Sequence, residues 1–98
     1  MPSARFFPML EIVLSNKFRK DLRLAARRGY DLEKLNEAVE VLAKEMPLPE
    51  KFRDHELIGD YAGFRECHIQ PDWLLVYRYY HEELILFLLR TGTHSDLF

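Results

Sequence analysis

His55, His68 and His94 sit in three short polar stretches: Asp54-His55-Glu56, His68-Ile69-Gln70-Pro71-Asp72-Trp73 and Arg90-Thr91-Gly92-Thr93-His94. Asp72 joins them in the second stretch, and Phe98 is the last residue of the chain. Imidazole titrates near neutrality, so it can both take and give a proton there. With a carboxylate added, the set suits metal-free acid–base chemistry or a metal centre. Three His and one Asp could bind zinc. No pair of them has the close spacing of a motif such as His-Glu-x-x-His, which favours the metal-free reading. The lone Cys67 excludes an internal disulfide and a multi-cysteine zinc site. No metal or other cofactor is expected.

These residues fall at expected strand ends and turns, where a sheet can hold side chains in place. Residues 10–14 are apolar and β-branched and read as a strand. Ser15 follows as a helix N-cap, and Phe18, Leu22, Ala25 and Ala26 recur at helical spacing up to the stop at Gly29. Asp31 caps a second helix with the stripe Leu32, Leu35, Ala38, Val39, Leu42 and Met46, ended by Pro47 and Pro49. The short link predicts an antiparallel helical hairpin. Strands are then expected at residues 53–57, 64–69, 73–80 and 84–90, with turns at Gln70-Pro71-Asp72 and His81-Glu82-Glu83. The unbroken apolar run from Leu84 to Leu89 marks a strand inside the sheet. Helices followed by strands imply an α+β fold: an N-terminal strand, a two-helix hairpin, then three to four consecutive antiparallel strands in one sheet. One sheet face packs on the hairpin; the other is left free or concave for a ligand.

At 98 residues the chain is one domain, and its 48% hydrophobic share suffices for one core. No signal peptide and no membrane-spanning run are expected, so the reading is cytoplasmic, with no membrane partner. The net charge of −2 hides a basic segment of Lys17, Arg19, Lys20, Arg23, Arg27 and Arg28. Such a patch suits nucleic acid or an acidic partner, and equally a solvated helix face.

Leu48-Pro49, Asp54-His55, Leu57, Gly59, Gly63, Arg65, His68, Pro71-Asp72-Trp73, Tyr77, Arg90-Thr91-Gly92-Thr93-His94 and Leu97-Phe98 together resemble the YafQ-type toxins of the RelE/ParE toxin–antitoxin superfamily. The resemblance runs from about Leu10 to the last residue and leaves residues 1–9 as an extension, expected to be flexible. It implies a RelE-like fold and a ribosome-dependent mRNA endonuclease that stops translation. It also implies partners: the ribosome with its message, and a cognate antitoxin with an acidic, partly disordered segment, in a higher-order hetero-oligomer. The active-site set of similar toxins falls on His55, His68, Asp72, Trp73, His94 and Phe98.

RNA carries its own nucleophile, the 2′-hydroxyl. The enzyme must remove that proton, give one to the departing 5′-oxygen and stabilise charge on the phosphate. His94 is expected as the acid and Asp72 as the base, with His55 and His68 tuning them or holding the phosphate. His68 and Asp72 can exchange roles. Phe98 can stack on a base, worth ~1–3 kcal/mol, or fold back on the core. Trp73 opens a strand, which favours packing over stacking. Arg65 and Arg90 are expected to bind phosphate or to form ion pairs. Cys67 should face away from His68 into the core, because strand side chains alternate. His81, in its Glu-rich turn, reads as surface. The terminal carboxylate of Phe98 would weaken phosphate binding slightly. Two rival readings keep the fold: a gyrase-binding toxin of the ParE kind, and a catalytically silent antitoxin-binding domain.

Overall fold

Ser15 starts the helical layer and also ties it to the sheet. Its hydroxyl accepts the Phe18 N–H at 2.8 Å and donates to the Leu89 carbonyl at 2.6 Å. The computed structural model describes residues 9–98, so the expected flexible extension lies outside the described residues except for Met9. The elements are β1 (Glu11–Leu14), α1 (Asn16–Arg27), α2 (Leu32–Ala43), β2 (His55–Glu56), β3 (Arg65–Gln70), β4 (Trp73–Tyr80), β5 (Ile85–Gly92) and α3 (His94–Leu97). Short 3₁₀ turns lie at Glu50–Phe52 and Gly59–Tyr61. The expected α+β order is present.

One sheet runs β1-β5-β4-β3-β2. Strands β2 to β5 pair antiparallel, and β1 returns beside β5 in parallel. That parallel pair could not be read from the sequence, since strand order across a helical crossover is a tertiary outcome. It does account for the apolar run of β5, which is paired on both sides.

The caps follow the sequence. Asp31 accepts the Glu33 N–H at 3.1 Å, and Gly29 ends α1 with a φ of +79°. The end of α2 does not. The helix stops at Ala43, before either proline, because Glu45 turns left-handed at φ +56° and the Met46 N–H donates back to the Val41 carbonyl. Met46 is therefore outside the stripe and exposed. A strong cap formed without glycine has no composition signal.

Phe18, Leu35, Ala38, Val39 and Leu42 pack with Cys67, Leu75, Tyr77, Leu86 and Leu88 to form the main core. The other sheet face is not fully free. Leu74 and Val76 are covered there by Leu97 of α3, together with Leu57, Tyr61, Phe64 and Leu89. No described helix is long and apolar enough to cross a membrane.

Trp73 belongs to this core and not to a ligand surface, which corrects its place in the expected site. It is 2% exposed, its ring lies 4.9 Å from that of Tyr30, and its indole N–H donates to Thr91 Oγ1 at 2.9 Å. Trp73→Ala should cost ~3–5 kcal/mol in urea unfolding, and a loss below ~1 kcal/mol would contradict the assignment to the core.

Candidate active site

His55, His68 and His94 form a row. Ring centroids are 6.4 Å apart from His55 to His68 and 5.9 Å from His68 to His94. Three different local devices place them. Strand β2 pairs His55 with Glu66 of β3. Alternation along β3 puts Glu66 and His68 on one face and Cys67 on the other. A register shift between His68 and Gln70 then bends the strand end beside the row. The third histidine opens α3, whose start is fixed by a reciprocal cap. Thr93 Oγ1 accepts the Asp96 N–H, and Asp96 Oδ2 accepts the Thr93 N–H.

Each imidazole is tied at the same nitrogen. His55 Nδ1 lies 2.6 Å from the Arg53 carbonyl oxygen, and His68 Nδ1 lies 3.3 Å from that of Pro71. A carbonyl can only accept, so both Nδ1 atoms carry the proton. His94 Nδ1 lies 2.8 Å from Asp72 Oδ1, which also accepts the His94 backbone N–H at 2.9 Å. These two bonds, the backbone one first, hold the Asp72 carboxyl below the usual range, so it is ionised at neutrality. His94 Nδ1 is therefore a donor as well. In the neutral rings, every Nε2 is left with its lone pair.

Two of these Nε2 atoms face a carboxylate that the sequence reading passed over. Glu66 is 5% exposed, and its Oε1 is 3.5 Å from His55 Nε2 and 3.7 Å from His68 Nε2. A buried carboxylate needs compensating partners. Here the two rings supply them whenever either is protonated. The signal was present, because Glu66 lies two residues before His68 on a strand whose intervening Cys67 is core. Arg53 is the second omission. Its φ of +49° is strained for a residue with a side chain, and its carbonyl is the one that meets His55.

The expected site residues separate into two groups. His55, His68, Asp72 and His94 come together. Phe98 is 59% exposed, with its ring 5.4 Å edge-on from Tyr61, so it is available to stack. Arg65 and Arg90 are engaged elsewhere. Arg65 Nε donates to Asp54, which also takes the Tyr77 hydroxyl. Arg90 makes two bonds to Asp21, at 2.7 and 3.1 Å. The ion-pair reading is the one realised for both. Burial pushes the Cys67 thiol up, so it is no nucleophile. His81 stacks on Tyr79 and pairs with Glu45, away from the row.

Arg28 is likewise withdrawn from the basic segment, making two bonds to Asp96 at 2.6 and 3.1 Å. Gly92 allows this close fold, since a Cβ there would sit 2.9 Å from Asp96 Oδ2. No group of three or more His, Cys, Asp and Glu among the described residues is arranged to hold a metal ion.

Known proteins share this architecture and sequence. The family model for the bacterial toxin of type II toxin–antitoxin systems, YafQ, matches residues 10–98. The mRNA interferase toxin YafQ of Escherichia coli K12 is 38% identical over 89 residues, covering 90% of this chain and 95% of that protein. A toxin from Helicobacter pylori, solved in a metal-bound form, is 50% identical, with a TM-score of 0.88 over 92% of this chain and all of the other. YafQ in the E. coli DinJ–YafQ toxin–antitoxin complex gives a TM-score of 0.82 at 37% identity, over 92% of this chain and 98% of that one.

The Arg28–Asp96 pair sets a pH dependence. The Arg28 hydrogen bonds, and then that of the Thr93 N–H, hold Asp96 well below the usual carboxylate range. A depressed carboxyl stabilises the fold fully above its unfolded value of about 4 and loses that contribution as pH falls through the lower folded value. Arg28→Ala should therefore lower the urea midpoint at neutrality, with the gap to wild type closing below about pH 4. A gap as wide in acid as at neutrality would contradict this.

Proposed function

The chain belongs to the YafQ family of bacterial type II toxins, and from that premise we propose that it is a ribosome-dependent mRNA endonuclease working by acid–base attack of a 2′-hydroxyl. One observation carries the chemistry: a row of three imidazoles, each tied at Nδ1, which leaves Nε2 as the nitrogen for proton transfer.

His94 is the general acid. Protonated at Nε2, it gives that proton to the departing 5′-oxygen, and Asp72 behind it stabilises the imidazolium and fixes the ring. Asp72 thus positions His94 and is not the base. Its carboxylate is already occupied by two His94 bonds and its basicity is low. The base is His68 Nε2, with His55 beside it and Glu66 between them. The 2′-hydroxyl proton passes to Nε2 as the oxygen attacks phosphorus and the P–O5′ bond breaks. The resulting imidazolium sits against the buried Glu66 carboxylate. The products are a 2′,3′-cyclic phosphate and a 5′-hydroxyl. Phe98 stacks on a base of the message.

The exposed cations of α1 (Lys17, Arg19, Lys20, Arg23 and Arg27) support docking on ribosomal RNA. The partner complex of the E. coli relative supports a cognate antitoxin here. An acidic segment of it would lie over the basic helix or the site, in a hetero-oligomer assembled in the cytoplasm.

In a reconstituted translation reaction with EDTA-treated protein, primer extension should find discrete cuts that require ribosomes. His94→Ala should lower cutting by ~10²–10⁴-fold. Intact message beside DNA damage would point to gyrase binding, and intact message alone to a silent antitoxin partner. Cutting by His94→Ala within a few-fold of wild type would remove its role as acid.

A further inference from the structure

A cavity of about 460 Å³ opens beside the histidine row on the helical side, walled by Lys34, Lys51, Phe52, Arg53, His68 and Gln70. Its volume is in the range of roughly 300–1,000 Å³ typical of small-ligand sites. The cations nominated from sequence, Arg65 and Arg90, are held by carboxylates. The cations of this cavity are not: among the described residues no carboxylate pairs with Lys34, Lys51 or Arg53. Lys51 instead lies 5.6 Å over the Phe52 ring. Glu37 is the one opposing charge on the wall. The exposed Gln70 side chain has no hydrogen-bond partner among the described residues, which leaves both an acceptor and two donors to offer. Unpaired cations, an aromatic ring and a free amide around one hollow match a nucleotide's phosphate, base face and base edge.

The position of the cavity sets the polarity. Phe98 lies against Tyr61 and follows α3, its N–H donating to the His94 carbonyl, on the acid's side of the row. The cavity shares His68 and the backbone of Arg53 with the base's side. The acid serves the 5′-oxygen of the downstream nucleotide, and the base serves the 2′-hydroxyl of the upstream one. We propose that this cavity is the subsite for the nucleotide on the 5′ side of the cut, with Lys51, Arg53 and Lys34 holding its 5′-phosphate and Gln70 reading its base. This rests on the nuclease reading above. Gln70 is then a specificity-determining residue, not a catalytic one.

The test maps cuts by wild type, Gln70→Glu and Gln70→Ala on translated messages with every base at the flanking positions. Gln70→Glu should change the relative use of bases immediately 5′ of the cut by about fivefold or more. Preference on the 3′ side should be unchanged. Wild-type cutting with identical 5′ preference in both variants would overturn the subsite and leave the nuclease standing. Absence of cutting by wild type would instead sink the nuclease, and the subsite with it. Should both variants cut nothing, adenosine 3′,5′-bisphosphate titrated into the wild-type protein decides. Amide shifts at Lys51 and Gln70 support the subsite, and shifts confined to the Phe98 side overturn it.

Discussion

An oxygen acceptor on each Nδ1 is the constraint from which the rest of the site follows. A neutral imidazole has one donor and one acceptor nitrogen, so fixing the first fixes the second. Two acceptors are main-chain carbonyls and the third is Asp72. Each depends on a different part of the fold: a left-handed residue before β2, the turn between β3 and β4, and the capped start of α3. Loss of any one would free a ring to flip and would hide the nitrogen that the chemistry needs.

The same principle separates the two ends of the row. His94 is held at Nδ1 and at its backbone N–H by the exposed Asp72 carboxylate, on the side away from the reactive nitrogen. His55 and His68 share a buried carboxylate at the reactive nitrogen itself. A proton arriving there is stabilised after transfer, which suits a base. Three like side chains thus meet unlike surroundings, and the unlike roles proposed for them rest on that difference.

Much of this was legible in the sequence. The caps at Ser15 and Asp31, the stop at Gly29 and the span of β4 follow from local chemistry that tertiary contacts did not override. Motif context nominated His55, His68, Asp72, His94 and Phe98, and the fold brings the four polar ones together. Less legible were features decided by pairing across the fold. Arg65 and Arg90 read equally as phosphate binders or ion-pair members until Asp54 and Asp21 are seen to take them. Trp73 sits inside a conspicuous motif, yet its role is packing. Glu66 looked like an ordinary strand carboxylate because its burial and its place between two imidazoles are tertiary outcomes. The end of α2 at Ala43 and the cation-lined cavity likewise arise from backbone turns at Glu45 and Arg53 that composition does not signal.

The central claim, that Nδ1 is tied and Nε2 presented at all three rings, is open to direct measurement. Long-range proton–nitrogen NMR on uniformly ¹⁵N-labelled protein reads the tautomer of each neutral histidine. The account predicts the Nδ1–H form at His55, His68 and His94, with His94 changing toward a mixture in Asp72→Ala. A dominant Nε2–H form at His68 or His94 in the wild-type protein would contradict it.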